Sequence, residues 1–438
     1  MIKLPEQVNK AICLLKNSGF EAYAVGGAVR DCLLGKVPFD WDITTSARPE
    51  ETEKVFCGER IIETGIKHGT VTVIIDGMPL EITTYRIDGD YTDHRHPQTV
   101  SFSDNLRDDL SRRDFTINTL CCNCDDKIID AFGGKDDLKN KIIRCVGDPD
   151  TRFSEDALRI MRAVRFSAEL GFKIEKNTSD SILKNRQLLS DVSKERLQVE
   201  FTKLITGKYA TDVIRKYHAV IEVFIPELAP LAECEQHTKY HKYDVFEHTL
   251  HAVDAIDFND RILRLTMFFH DFGKPDAKTT DENGTSHFKG HAVISEKKTR
   301  DILKRLKFDN NTINEVSKLV LIHDMKSPRD KIQAKKMMCS LGDETYLNLI
   351  KIKRADNMAK ADPHAIDEKL KNMRSFYEEI KINNECYNLK SLAVNGDDIK
   401  AFGIAEGKEI KSSLDFLLNG VIEGKCQNRK DVLLEYLK

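Results

Sequence analysis

The stretch AVGGAVRDCLLGKVPFDWDITTS, residues 24–46, decides the fold. Glu21–Val25 reads as a short strand, Gly26–Leu34 as a helix entered through two glycines, and Asp42–Thr45 as a second strand. Glycines directly after a strand let backbone N–H groups converge at a helix start, which suits a chain of phosphates. Arg30 follows one helical turn later and is placed to clamp the same phosphates. Asp40 and Asp42 stand at i, i+2 across Trp41, and on an extended backbone that spacing points both carboxylates to one face. Two like charges held together attract a divalent cation. Hard carboxylate oxygens favour Mg²⁺, which keeps waters and bridges to substrate phosphates. Such a site suits an attacking hydroxyl and a departing pyrophosphate.

Outward from this stretch, a helix is expected near Pro49–Phe56, and Thr70–Ile75 and Leu80–Arg86 flank the turn Asp76-Gly77-Met78-Pro79 as a hairpin. After Asp148-Pro149 apolar residues recur at three- and four-residue spacing to the end, so the remainder reads as mainly helical. The expected fold class is α+β: a small head with a mixed sheet of about five strands, then a long helical body. With 438 residues, 32% charged and 40% hydrophobic, the composition is that of a soluble globular chain and excludes a largely disordered one. A net charge of −3 excludes a uniformly basic nucleic-acid coat. Residues 151–220 nevertheless carry 14 Lys/Arg against 9 Asp/Glu, either a solvated helical surface or a face that tracks phosphates. No apolar run approaches the ~20 residues of a membrane span, and MIKLPEQVNK lacks the apolar core of a secretory signal. Cys121, Cys122 and Cys124 crowd together, but no second pair at zinc spacing follows. The 11 cysteines therefore read as reduced thiols of a cytoplasmic protein.

The GG-x-x-RD … D-x-D arrangement of residues 26–42 resembles the head of the polymerase-β-type nucleotidyltransferases. Within them it most resembles the bacterial class of tRNA nucleotidyltransferases (CCA-adding enzymes) and the poly(A) polymerases close to them. DGDYTDHRHP at 88–97 is similar to their mobile loop, RRDFTIN at 112–118 to their ribose-reading motif, VGDPDTRFSEDALRIMRAVRF at 146–166 to their base-selecting helix, and VSKERLQVEF at 192–201 to their neck helix. LAVNGDDIKAFG and LLNGVIEGKCQNRKDVLLEYL are similar to the family's tail. The resemblance implies catalysis and Mg²⁺ binding by Asp40 and Asp42; Glu81, in the strand Leu80–Arg86, is either a third carboxylate near the metals or a surface residue of its strand. The resemblance also implies nucleotide contacts from Gly26, Gly27, Arg30 and Arg113, ribose contacts from Asp114 and Asn118, and positions near the triphosphate or base edge for Arg162 and Arg165. Asp93 and Arg95 mark the loop that enzymes adding only the two cytidines are expected to lack. The implied partners are tRNA, CTP and ATP, with no membrane. Monomer and homodimer both stay open, as do an A-adding specialist and a poly(A) polymerase.

A helix over 155–166 places Asp156 and Arg159 at i, i+3 and Arg162 one turn on, all on one face. A carboxylate only accepts and a guanidinium only donates. Cytosine offers an N4 donor beside N3, and adenine an N6 donor beside N1, so both fit an Asp/Arg pair. Uracil and guanine present the reverse pattern and leave buried groups unpaired, a mismatch worth about 10⁴-fold or more in rejection.

A second constellation comprises VFEHTLHAVD at 245–254, MFFHDFGKPDAK at 267–278 and IKRADNMAK at 352–360. His-Asp followed by Gly-Lys resembles the HD phosphohydrolases, which implies that His248, His270, Asp271 and Asp356 ligate a metal. Imidazole plus carboxylate suits Mn²⁺, Fe²⁺, Ni²⁺ or Mg²⁺. His291 and His323 are placed for a second metal or for substrate phosphate. The resemblance extends to phosphatase or cyclic phosphodiesterase chemistry at RNA ends, and a chain that is chiefly a phosphohydrolase is the alternative of another class. The expected domains are a nucleotidyltransferase head at 1–145, a helical neck at 146–235, an HD-type domain at 236–365 and an RNA-gripping tail at 366–438.

Overall fold

A computed structural model describes residues 2–63, 65–66, 69–89, 99–125, 127–238, 242–404 and 407–438. The predicted loop residues Asp93 and Arg95 lie outside the described residues. The chain divides into two compact units, Met1–Pro226 and Glu227–Lys438.

The first unit is built on strands β1 (Ala22–Val25), β2 (Asp42–Thr45), β3 (Arg60–Ile62), β4 (Thr70–Ile75), β5 (Met78–Thr84), β6 (Arg86–Asp88), β7 (Val100–Phe102), β8 (Cys121–Cys122) and β9 (Ile128–Ile129). Seven of them form one sheet in the order β3-β4-β5-β2-β1-β8-β9, while β6 and β7 pair separately. The mixed α+β head is as expected, and among the described residues its sheet has seven strands where about five were expected. The sheet includes the three-residue β3 and the two-residue β8 and β9, too short to show alternation in the sequence. β2 runs parallel to β5 and antiparallel to β1, so the sheet is mixed. The β4–β5 hairpin turns on Asp76 and Gly77, both at positive φ, as a two-residue connection favours. Pro79 therefore belongs to β5 rather than to the turn. Pairing of β5 with β2 starts at Glu81, so the missing N–H of Pro79 breaks no bond on that side.

Two helices, Pro149–Glu155 and Leu158–Leu170, stand where the sequence suggested one over 155–166. Asp148 accepts from the Thr151 amide and Pro149 follows it, a strong N-terminal signal. The break falls at Asp156, whose backbone is extended at φ −135° and ψ 101°. Its carboxylate accepts from the Leu158 amide at 3.1 Å. Aspartate competes with the backbone for such bonds and so favours helix ends over interiors. Lys194–Ile205 packs on the second of these helices.

Among its described residues the second unit is helical apart from connecting loops and the short strand pair Thr279–Thr280 and Ser286–His287. Helices Val245–Asp254, Arg261–Phe269, His291–Arg305, Asn310–Ile322 and Asp343–Met358 surround one polar centre. Gly273 lets two of them meet. A Cβ there would stand 2.4 Å from the His291 carbonyl oxygen and 2.6 Å from the Ser295 amide, which explains the glycine in HDFGK. Among the described residues no helix is long and apolar enough to cross a membrane. All eleven cysteines are free thiols.

Candidate active site

Strand register assembles the first cluster. Asp42 opens β2 directly opposite Val25 of β1 on one side and Glu81 of β5 on the other. Trp41 is buried while Asp40 and Asp42 are exposed, so the two carboxylates share a face as the spacing predicted. Gly26 follows β1 with φ +83°, and a Cβ there would lie 3.2 Å from Arg113 Nη1 and 3.9 Å from Asp42 Oδ2. The glycine turn, both aspartates, Glu81 and Arg113 thus converge at one end of the central strands β1, β2 and β5. Asp42 is open to water on its outer side. The protein packed behind its carboxylate, together with Glu81 and Asp40, pushes its pKa up to about 6 against the pull of Arg113. This is a concentration of negative charge that a hard divalent cation relieves, and the all-oxygen donor set fits Mg²⁺.

Arg113 is held from behind by Asp109, fully buried, at 3.3 Å. Asp109 also takes Arg112 at 2.5 Å and the Thr44 hydroxyl at 3.0 Å. Burial would raise the Asp109 carboxyl, but Arg113 and Arg112 hold it below the usual range. The buried Nε of Arg113 has no hydrogen-bond partner among the described residues, an orphaned donor beside the carboxylate face.

A continuous polar chain lines the adjoining wall. Arg30 Nη1 donates to Asn118 Oδ1 at 2.8 Å, the Asn118 amide donates to Asp114 Oδ1 at 3.0 Å, and Arg162 Nε donates to Asp114 Oδ2 at 2.8 Å. Burial would raise Asp114, but Arg162, Asn118 and Arg159 bring it down to about 2, a carboxylate at any working pH. The Phe166 ring is flanked by the guanidinium carbons of Arg165, Arg30 and Arg162 at 3.7, 5.0 and 5.3 Å. Arg165 is committed elsewhere, to Glu200 at 2.8 Å and Glu169 at 2.7 Å.

Asp156 and Arg159 do not share one helix face, because the backbone breaks at Asp156. Arg196 reaches Asp156 from the neighbouring helix at 2.9 and 3.2 Å. Arg159 Nη1 donates to Glu155 at 2.7 Å and to the Arg152 carbonyl at 3.2 Å, and its Nη2 donates to the Arg112 carbonyl at 2.9 Å. The sequence reading missed Arg196, Glu200, Asp109 and Phe166. Arg196 and Glu200 stood in the neck-like segment 192–201, where nothing local assigned them a role.

In the second unit His248, His270, Asp271 and Asp356 come together as expected. His248 Nε2 lies 3.0 Å from Asp356 Oδ1, 3.3 Å from Asp271 Oδ2 and 3.3 Å from His270 Nε2. His270 Nε2 lies 3.1 Å from Asp271 Oδ2. Burial would lower His270, but Asp271 and Asp356 carry it up to about 9, so the cluster attracts positive charge. Lys274 pairs with Asp271 at 2.7 Å and Lys360 with Asp356 at 2.6 Å.

The sheet and its carboxylate edge define the class, a nucleotidyltransferase head. Residues 22–144 match the model of the poly(A) polymerase head domain, 171–231 that of a probable RNA- and SrmB-binding site of polymerase A, and 279–437 that of a putative tRNA nucleotidyltransferase domain 2. The CCA-adding enzyme of Lactobacillus helveticus is 33% identical across 100% of this chain and 98% of its own. That of Ligilactobacillus salivarius is 34% identical across 99% and 97%. The crystal structure of the Bacillus stearothermophilus CCA-adding enzyme in complex with CTP superposes with a TM-score of 0.72 at 30% identity, covering 99% of this chain and 96% of that one. The chain belongs to the CCA-adding enzyme family.

Proposed function

We propose that this chain builds or repairs the 3′-terminal CCA of tRNA from CTP and ATP without a nucleic-acid template, releasing pyrophosphate, with Asp40 and Asp42 as the catalytic carboxylates. The register that places Asp42 between the glycine turn and Glu81 carries this reading. Asp40, Asp42 and Glu81 would hold Mg²⁺, which supplies charge neutralisation for the attacking 3′-hydroxyl and the departing pyrophosphate. Gly26, Gly27, Arg30 and Arg113 bind the triphosphate, Arg113 through its buried, unpartnered Nε edge. Asp114 and Asn118, already ordered by Arg162 and Arg30, take the ribose hydroxyls.

Base choice falls to Asp156 and Arg159. Of roughly four lone-pair sites on a carboxylate, three on Asp156 are occupied by Leu158 and Arg196, leaving an acceptor for an exocyclic amine. Arg159 retains Nε–H and one Nη2–H without partners among the described residues. These donors suit cytosine N3 and O2, or adenine N1. Arg196 acts by holding Asp156.

Removal of divalent cations with EDTA tests the metal reading. Addition to tRNA should stop and return on Mg²⁺ titration. Addition that persists in EDTA would remove the metal from the account. Gly26→Ala tests the turn. At φ 83° and ψ −136°, a conformation essentially reserved for glycine, a side chain costs about 1–3 kcal/mol, and the Cβ would press on Arg113. Melting should drop and KM for nucleotide rise, and unchanged values of both would show that the turn tolerates a side chain.

A second activity is favoured by the buried cluster of the second unit. His248, His270, Asp271 and Asp356 would hold a divalent metal, and the site would hydrolyse a phosphate ester.

A further inference from the structure

We propose that the loop over residues 35–39 is the platform for the RNA end that is extended, with the Phe39 ring stacking on the terminal base and Lys36 holding a phosphate behind it. The inference rests on the nucleotide-addition reading of Asp40 and Asp42 and deepens it, by naming what holds the 3′ end beside those carboxylates.

The loop is anchored at its start and stiff in its middle. The helix Gly27–Leu33 is closed by the Lys36 amide, which donates to the Asp31 carbonyl at 2.8 Å, with Gly35 at φ +72°. Pro38 fixes its own φ and keeps Val37 extended. Val37 and Phe39 are the two most exposed large apolar side chains among the described residues, at 95% and 102%, while Trp41 two residues on is 6% exposed. Phe39 therefore adds nothing to the core, and a preformed loop presents its ring to water. Lys36 is exposed as well, and its ammonium makes no ion pair among the described residues.

Position gives the ring its occupant. Phe39 directly precedes Asp40, and consecutive Cα atoms stand about 3.8 Å apart. An RNA whose 3′-hydroxyl lies at the Asp40 and Asp42 carboxylates brings its last base within reach of the ring. The reaction also requires a contact of this chemistry. The end to be extended carries whichever base precedes CCA, then C, then C. A pocket matched to one hydrogen-bond pattern would reject the others, whereas every base has a π-face and stacking on an aromatic side chain tolerates sequence. An aromatic ring and an unpaired cation on one loop are the components that hold a single strand without reading it. An arginine in place of Phe39 would be drawn to Asp40, and a phenylalanine is not. The incoming nucleotide is chosen by donors and acceptors, and the end that receives it is held by its π-face.

The test measures equilibrium binding of tRNAs ending before CCA, after C and after CC to the full chain in EDTA, without nucleotide, beside steady-state addition in Mg²⁺. In Phe39→Ala the Kd and KM for all three tRNAs should rise by about 5- to 150-fold, the cost of one base–aromatic stack. The loss should fall on KM for tRNA and not on kcat, KM for CTP or the melting temperature. Phe39→Tyr should restore binding and Phe39→Leu, apolar without a ring, should not. Lys36→Gln should weaken the three tRNAs alike and reduce the salt slope by about one. Unchanged tRNA binding in Phe39→Ala would overturn the platform, and rescue by Phe39→Leu would refute the stack. A loss confined to one tRNA would refute a contact blind to sequence, and a lower melting temperature would make Phe39 structural. A dimer that dissociates in Phe39→Ala while tRNA affinity holds would give the surface to a second copy of this chain. A parent that binds these tRNAs through Phe39 yet adds no nucleotide would remove the proposed function and leave the platform standing.

Discussion

Asp42→Asn is expected to lower nucleotide addition by about 10⁴-fold or more, the scale of losing a member of a catalytic unit, without loss of fold. Asp42 is the exposed first residue of the central strand β2, and the amide is isosteric, so nothing in the core is disturbed. What is lost is a carboxylate that feels the charge of Arg113 and of the neighbouring Asp40 and Glu81. The same substitution has an opposite effect on the stability of the metal-free protein. The folded pKa of Asp42, about 6, lies above the ~3.9 of an unfolded aspartate. Ionisation therefore disfavours the folded state, increasingly as pH rises from about 4 and fully above about 6. In EDTA at pH 8 Asp42→Asn should melt higher than the parent, by no more than about 1 kcal/mol in stability because water screens the site. Near pH 4 the difference should vanish. A variant that loses activity and also melts lower at pH 8 would assign Asp42 a structural role instead.

Asp156→Asn is expected to collapse base discrimination while leaving catalysis in place. A site built on paired donors and acceptors rejects the wrong pattern by about 10⁴-fold or more, and an amide that offers either a donor or an acceptor loses that asymmetry. The ratio of kcat/KM for CTP over UTP should fall by about two orders of magnitude or more, with kcat for CTP much less affected. Arg196→Ala separates positioning from reading. It releases Asp156 from its partner at 2.9 Å but leaves the carboxylate acceptor-only. KM for CTP and ATP should rise together and the CTP/UTP ratio should hold. If Arg196→Ala relaxes selection as far as Asp156→Asn does, Arg196 itself reads the base.

Residues whose partners are close in sequence were legible in it. Gly26, Asp40 and Asp42 carry their chemistry within one strand–turn–helix–strand segment, and alternation across buried Trp41 put both carboxylates on one face. Glu81 needed the β2–β5 register, which no local pattern sets. Asp156 was misplaced on a continuous helix because the apolar period runs through it, whereas the local competition of its carboxylate for the Leu158 amide ends the helix there. Arg196, 40 residues on, and Asp109, which steadies Arg113 and Thr44, act through tertiary contacts that periodicity does not report. The histidine cluster was legible as a set through its resemblance to known phosphohydrolases. That Asp271 turns its two oxygens to different histidine pairs emerges only once the helices are packed.

Nucleotide addition to three tRNAs, ending before CCA, after C and after CC, tests the central claim most directly, with single labelled nucleotides, Mg²⁺ and Asp40→Ala as the blank. The account predicts C, then C, then A, followed by a stop. Addition of A alone to the CC-ended tRNA, or a long A tail, would contradict it in favour of an A-adding specialist or a poly(A) polymerase. No addition at all would remove the head carboxylates from the centre of this protein's chemistry.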